Sequence, residues 1–429
     1  SGGRMRARPI AVVAAVVAVA LTLAGCGNAG SGEGATGSET SRSGNGDRPG
    51  VTDTEIRVGG VAGVTNPTGA PLASAFDGAR AYFDVVNERG GVHGRQVRLV
   101  ATRDDQSAAS RNVAQTRALV EEDGVFAVVP VATVQFTGAD YLAENGVPAF
   151  GWNINAEWQG PDNLFGQRGS ATCFDCATPS LPWLARQAGA ERVGVISYTA
   201  PQSRDCAAGF KNSFEKYGPD LVFEDTSVPF GTVDYSADIA RMREQRVDLV
   251  ATCFDGNGAA TLTRAIHDAG LDTALYLPNG YDHEFVRRQA TVLEGSYVGA
   301  LFTPFEARGS NEALDQFLAA MEAAGKPANE LALVGWIAAD MFVTGVEAAG
   351  EDFTRQSVVD ALNAEREYDA GGIVPPIDWT RAHDQVGGNA CTSFLRIESG
   401  ELRLVSEDPS KPFTCFPTGT ETLPDPIFR

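Results

Sequence analysis

In this 429-residue chain, Cys173-Phe-Asp-Cys176 is the segment whose residue types and spacing most directly suggest chemistry. Two thiols at that separation suit disulfide exchange, which is usually run from a strand-to-helix junction where the thiol pKa is depressed. Here the pair follows a loop with Gly166 and Gly169 and no strand leads directly into it, so a structural role is expected. Zinc would need further ligands, and no histidine stands at ligand spacing from the pair. The histidines are His93, His267, His283 and His383, and none lies in HExxH; there is no GxSxG elbow and no P-loop. His93 belongs to a tight turn and His267 to a helix face, where structural roles outweigh catalysis. Glu121-Glu122-Asp123 reads as a solvated helix end. No catalytic residue, metal or cofactor is expected, and binding is the simpler function.

The cysteines also report on compartment. Besides Cys26 there are Cys173, Cys176, Cys206, Cys253, Cys391 and Cys415, an even set that suits disulfides in an exported protein. Cys391 with Cys415 is the favoured pair, tying the C-terminal tail to the last hairpin. The other four are expected near one cleft edge in two bridges of open partnership.

Export is written at the N-terminus. Arg4, Arg6 and Arg8 precede a small and apolar run from Ile10 to Ala20, shorter than the roughly 20 apolar residues of a bilayer span. Leu23-Ala24-Gly25-Cys26 resembles a lipobox that closes a lipoprotein signal over residues 1–26, which implies cleavage just before Cys26 and lipidation of Cys26 as the new N-terminus. Residues 27–52 contain almost nothing that could enter a core and read as a Gly/Ser tether. Lipid and tether together would hold a soluble body at the outer face of the cytoplasmic membrane. No later segment reads as long and apolar enough to span a membrane. A net charge of -21 argues against nucleic acid and anionic lipid surfaces as partners.

What positions any binding groups must be the roughly 380 residues that remain, too many for one core and enough for two domains. Ile56 and Val58 share a face of a strand over residues 55–62. Leu72, Phe76, Ala79, Phe83 and Val86 recur at helical spacing, Gly90-Gly91 stops that helix, and residues 96–101 begin another strand. The alternation continues with a helix over 107–123, strands over 125–131 and 147–151, and a short helix between them. A second series begins at Thr178-Pro179, an N-cap with proline at the first helical position. Strands over 192–197, 221–225, 247–253 and 274–278 then alternate with helices over 204–217, 236–245 and 258–269. Such alternation predicts α/β architecture: two doubly wound parallel-sheet lobes. Helices over 311–324, 328–349 and 354–363, and a hairpin around Ser399-Gly400, are better read as returns to the first and then the second lobe.

EIRVGGVA, NPTGA, FDGARAYFDVVNERGGVHGRQVRLVATRDDQ, SYTAPQSRDCAAGFKNSFEKYG and DYSADIARMREQRVDLVATCFDGNGAATLTRAIHDAGL occur in an order that resembles type I solute-binding proteins of ABC importers, the leucine/isoleucine/valine-binding group, over residues 53–405. The resemblance implies a three-crossover hinge, with residues 53–172 and 304–372 in one lobe and 173–303 and 373–429 in the other. It also implies a monomer that captures a small polar or aromatic acid, amide or amino-acid-like solute and delivers it to an ABC permease. A sensory protein of the same fold and an exported enzyme are the rivals.

Fold physics puts the ligand outside the carboxyl ends of the strands. Thr65, Asn66, Thr68, Thr133, Gln135, Trp152, Asn153, Tyr198, Phe254, Asp255, Asn279, Tyr281 and Asp282 fall there. By resemblance, Ala132-Thr133 and Trp152-Asn153 hold the ligand's carboxylate, with Tyr198 on the opposite lobe. The departures bear on the ligand. Where amino-acid binders of the family carry an acid for the ligand's ammonium, this chain has Asn279, with Asp282 three residues later. Ser203-Arg204-Asp205 replaces a Tyr-Gly common after the Tyr198 strand. An ammonium buried without its acid is costly, which puts an α-amino acid ligand in question. Trp152, Phe254 and Tyr281 could flank a planar ligand with Arg204 on its acid group, or pack as core and rim while Arg204 pairs with Asp205.

Overall fold

Short, nearly continuous apolar runs separated by amphipathic helices leave the strands one way to bury both faces: in parallel sheets between helices. The computed structural model describes residues 48–429. The export signal, Cys26 and most of the expected tether lie outside the described residues. Residues 48–52, expected as the end of that tether, belong instead to the folded body. Val51 is buried, and the Gly50 carbonyl accepts from the Arg57 amide at 2.8 Å.

The first lobe holds strands β1 (Glu55–Ala62), β2 (Gln96–Asp104), β3 (Ala127–Ala132), β4 (Ala149–Gly151) and β5 (Leu164–Gly166), all parallel, in the order β2-β1-β3-β4-β5. Helices α1 (Ser74–Glu88), α2 (Ala109–Glu121) and α3 (Ala139–Glu144) connect them. The second lobe continues with α4 (Ser180–Gln187), β6 (Arg192–Tyr198), α5 (Pro201–Tyr217), β7 (Asp220–Val228), α6 (Ser236–Gln245), β8 (Leu249–Cys253), α7 (Gly256–Asp268), β9 (Ala274–Leu277), α8 (His283–Arg288), α9 (Ala290–Leu293) and β10 (Tyr297–Ala300). Its core strands run β7-β6-β8-β9-β10, the same winding as the first sheet. In each sheet the chain reverses direction beside its first strand, between β1 and β3 and between β6 and β8. Loops leaving those strands diverge, which opens a crevice at their carboxyl ends.

The remaining helices α10 (Glu312–Ala323), α11 (Glu330–Ala349) and α12 (Arg355–Asn363) return to the first sheet, where α11 packs on α1, β3, β4 and α12. The chain then ends in the second sheet with β11 (Asn389–Glu398), β12 (Glu401–Leu404), β13 (Thr414–Pro417) and β14 (Ile427–Phe428), all antiparallel. The expected hairpin is β11–β12, turning through Ser399 and Gly400, both at positive φ.

One expectation fails on α11. It is 20 residues long with a mean hydropathy of 1.5, enough by length and composition to cross a membrane. It is apolar all round because it is the core helix of the first lobe, enclosed by elements on every side. Its close approach to α1 rests on glycine: a Cβ on Gly335 would lie 1.9 Å from the Ala75 carbonyl oxygen.

Sheet membership makes the chain cross between lobes three times, after β5, after β10 and after α12. The crossovers lie side by side. Ala171 donates its amide to Ala382 at 2.8 Å, and Thr303 donates to Ile373 at 2.7 Å. Three disulfides form: Cys391–Cys415 across β11 and β13, Cys206–Cys253 joining α5 to β8, and Cys173–Cys176 within the first crossover. The CxxC pair is therefore a closed local bridge. Thr178 does not cap α4; the flanking residue at that end is Pro179, and Thr178 gives its amide to Ser213 Oγ. Glu122 and Asp123 are not merely solvated, since both pair with Arg103.

Candidate functional site

On the first lobe, the loop leaving β1 is held by its own side chains. Asn66 donates to the Gly63 and Ala70 carbonyls at 3.0 and 2.9 Å, and its Oδ1 accepts from Thr68 Oγ1 at 2.8 Å. Thr65 donates to Asp104 at 2.8 Å. The polar groups of Asn66 and Thr68, both expected at a ligand, thus serve loop geometry. Across the switch point, Thr133 is buried and donates to Asp105, whose carboxylate also accepts from Asn112 Nδ2 and the Ser107 amide at 2.8 Å each. Asp105, the residue just past β2, therefore fixes Thr133. Gln135 stays exposed beside it.

Past β4, Trp152 is half-buried against a cluster of Ala62, Leu72, Phe76, Ala132 and Leu331. Asn153 is fully buried, with its backbone amide on Gln167 Oε1 at 2.6 Å and its side-chain amide on Thr172 Oγ1 at 2.9 Å. It therefore straps the first crossover to β4. Arg168, two residues past β5, donates to the Asn153 carbonyl at 3.3 Å. Burial holds its guanidinium below the ordinary pKa, with the Glu330 carboxylate opposing. Glu330 opens α11 half-buried, and burial pushes its carboxyl up to about 7 against the pull of Arg168. Its field also reaches Tyr281 of the second lobe, so these groups stand near one another across the lobes.

The second lobe's switch point is aromatic. Tyr198 donates to Asp255 Oδ1 at 2.7 Å and stacks on Phe254 with centroids 4.3 Å apart. Burial, and then the adjacent Asp255, raise the Tyr198 pKa, so the phenol stays protonated and donating. Phe230, 61% exposed, meets Tyr198 edge-on at 5.3 Å, so its ring is no core residue. Tyr235 closes the far side of Phe254 at 6.1 Å. Asp255 also caps α7, accepting from the Asn257 amide at 3.2 Å. Room for the Tyr198 hydroxyl exists because residue 258 is glycine: a Cβ there would lie 1.8 Å from Tyr198 Oη.

Further along the sheet, Asn279 is exposed, with Nδ2 3.4 Å from the Phe254 carbonyl. Asp282 caps α8 through the Phe285 amide at 2.9 Å. Tyr281 is buried at the second crossover, donating to Glu306 at 2.9 Å and accepting from the Phe305 amide at 2.7 Å, while His283 Nε2 lies 2.6 Å from Glu306. Arg204 is exposed in the first turns of α5, and its side chain makes no hydrogen bond or ion pair among the described residues, Asp205 included.

Of the expected residues, then, the structure gathers Thr133, Trp152 and Asn153 at one switch point and Tyr198, Phe254 and Asp255 at the other. Tyr281 lies at a crossover, and Asn66, Thr68 and Asp282 hold local structure. Arg168, Glu330, Phe230, Tyr235 and Gly258 were not foreseen. Arg168 follows a strand of only three residues, and Glu330 looks like an ordinary acid in a helix's first turn. Clustered aromatics, hydrogen-bond donors and one free carboxylate suit recognition of a small polar solute.

Comparison with known proteins agrees with this geometry. A family model described as Periplasmic binding protein matches residues 55–401. Leu/Ile/Val-binding protein homolog 3 of Brucella melitensis is 26% identical over 319 residues, spanning 72% of this chain and 83% of that protein. Among solved structures, the branched-chain amino acid transporter substrate binding protein LivJ from Streptococcus pneumoniae, in complex with isoleucine, superposes with a TM-score of 0.68 at 19% identity, covering 82% of this chain and 99% of that one. A solute binding protein of an ABC transporter from R. palustris, in complex with benzoate, gives 0.64 at 18% identity, covering 82% and 96%.

Proposed function

The chain belongs to the periplasmic binding protein family, a family of extracytoplasmic binding proteins rather than enzymes, and on that premise we propose that it captures one small solute between its two lobes and presents it to an ABC permease. The observation that supports this reading is one switch point at the strand ends of each sheet, Thr133 with Trp152 and Asn153 in the first and Tyr198 with Phe254 and Asp255 in the second, in lobes joined by three crossovers. A solute touching both sets favours the closed arrangement by its differential affinity for it. The side-by-side crossovers serve as the hinge of that closure, and the hydrogen bonds between them support lobe limits near residues 172, 303 and 372. The relatives that bind isoleucine and benzoate support a small carboxylate-bearing ligand with an apolar body.

Anchoring belongs to the same proposal: Cys26 carries the lipid, and the protein works as a monomer at the outer face of the cytoplasmic membrane. Small-angle scattering with and without candidate solutes tests the clamp. A binding solute should compact the particle, and Thr133→Ala and Tyr198→Ala should each weaken it about tenfold or more, since each removes a contact from one lobe. Binding without compaction would remove the clamp mechanism. Metabolic labelling with palmitate, abolished in Cys26→Ser, checks the anchor.

A further inference from the structure

The acids of the cleft differ in how far their oxygens are already used. Asp104 accepts from Thr65 and Gln106, and Asp105 from Ser107, Asn112 and Thr133. Asp255 accepts from Tyr198 and Asn257, Asp282 caps α8, and Glu306 is shared by Tyr281 and His283. Glu330 is different. It is half-buried, and its carboxylate makes no hydrogen bond or ion pair among the described residues. The nearby Arg168 spends one donor on the Asn153 carbonyl and does not close on Glu330 as a direct pair. Position 279, where the resemblance expects an acid, carries an exposed amide.

Resting on the solute-capture reading, we propose that Glu330 and Arg168 form a charge-reading subsite on the first lobe: Glu330 receives the ligand's cationic nitrogen and Arg168 faces its acid group. The acid for the ammonium has thus moved from the second lobe to the N-terminus of α11. The second lobe then supplies mainly an apolar wall, Phe230 and Phe254 beside Tyr198, for the ligand's side chain. A half-buried carboxylate and guanidinium held apart are each incompletely compensated, and a zwitterionic head repairs both at once. The sequence doubt about a buried ammonium falls away, because its partner lies on the other lobe.

The subsite has a proton signature. Charged or titratable groups facing Glu330 are Arg168 on the β5 side and Tyr281 from the second lobe, with Glu306 and His283 behind Tyr281. A cation arriving at a carboxyl that titrates near 7 lowers that pKa and displaces a proton. Affinity for a cation-bearing ligand is therefore full above pH 7 and falls as pH drops, by up to about tenfold per unit.

The test is calorimetry of the purified protein with L-phenylalanine and L-leucine, their deaminated analogues 3-phenylpropanoate and 4-methylpentanoate, and 2-phenylethylamine, at pH 5.5, 7 and 8.5. We expect one amino acid to bind at least about tenfold tighter than its deaminated analogue. Its affinity should weaken below pH 7. Glu330→Gln should abolish both the advantage and the pH dependence, while Arg168→Gln should narrow the gap to the amine. A deaminated acid binding as tightly in the unaltered protein, flat pH dependence, or no binding by any probe overturns the subsite. The first of these leaves the capture reading standing; failure of every solute to compact the lobes would sink the capture reading itself. The pH series on the unaltered protein needs no variant, so a misfolded Glu330→Gln cannot shield the proposal.

Discussion

Glycine 258 offers a sharp test of how the second lobe holds its aromatic wall. On an exposed helix, replacing glycine by alanine stabilises by roughly 0.8–1 kcal/mol. Here the added Cβ would sit 1.8 Å from Tyr198 Oη, a separation no real pair of atoms keeps, so Tyr198 must leave. Leaving forfeits the 2.7 Å bond to Asp255, about 1.5–3 kcal/mol for a charged acceptor, and the stacking on Phe254, about 0.5–1.5 kcal/mol. Gly258→Ala should therefore destabilise by about 1–3 kcal/mol despite its better helix propensity. The decisive control is Tyr198→Phe, which removes the hydroxyl and leaves the ring carbon 3.0 Å from the new Cβ. In that background Gly258→Ala should cost at least about 1 kcal/mol less, a coupling read from a double-mutant cycle of urea melts. Equal cost in both backgrounds, or stabilisation of the unaltered protein, would show that the hydroxyl does not set the size of residue 258.

The remaining predictions concern pH and cross-links. Glu330, raised to about 7 from 4.5, binds a proton more tightly folded than unfolded, so it lowers stability as pH rises through that window; Glu330→Gln should stabilise the ligand-free protein at pH 8.5 by up to about 3 kcal/mol and change little at pH 4.5. His383 has the opposite sign. Burial lowers it to about 4 from 6.5, so stability is full above 6.5 and is lost as pH falls toward 4. His383→Gln, whose amide nitrogen reaches about as far as Nε2 and keeps a donor for Asn363 Oδ1, should flatten that acid limb of the melting curves. Among the disulfides, Cys206–Cys253 spans 47 residues and Cys173–Cys176 spans three, so by chain entropy alone loss of the first costs about 4 kcal/mol and of the second under about 2 kcal/mol. Paired Cys→Ser melts under oxidising conditions would reverse that order if native-state contacts, not chain entropy, dominate.

What the sequence determined by itself is local in origin. Short apolar runs and amphipathic runs at period 3.6, punctuated by Gly90-Gly91, place the strands and helices nearly where they lie, and their alternation forces parallel sheets. Strand ends follow, and with them Thr133, Tyr198, Phe254 and Asp255. Cys391 with Cys415 was the pair expected, as a tie between the C-terminal tail and the last hairpin, and the bridge forms within the paired strands β11 and β13. Other features depend on contacts between distant segments. Whether α11 lies in a membrane or a core depends on what encloses it, and hydropathy is the same in either case. Asn66 and Asp282 have the right residue types for a ligand, yet their oxygens are taken by neighbours a few residues away, a competition no spacing reveals. Glu330 was passed over for the converse reason. Beside an N-cap asparagine it looks like any acid of a first helical turn, and only tertiary packing brings Arg168 near it, half-buries it and leaves its oxygens unpaired. Local periodicity is set by backbone geometry; the environment of a charge is set by everything folded around it.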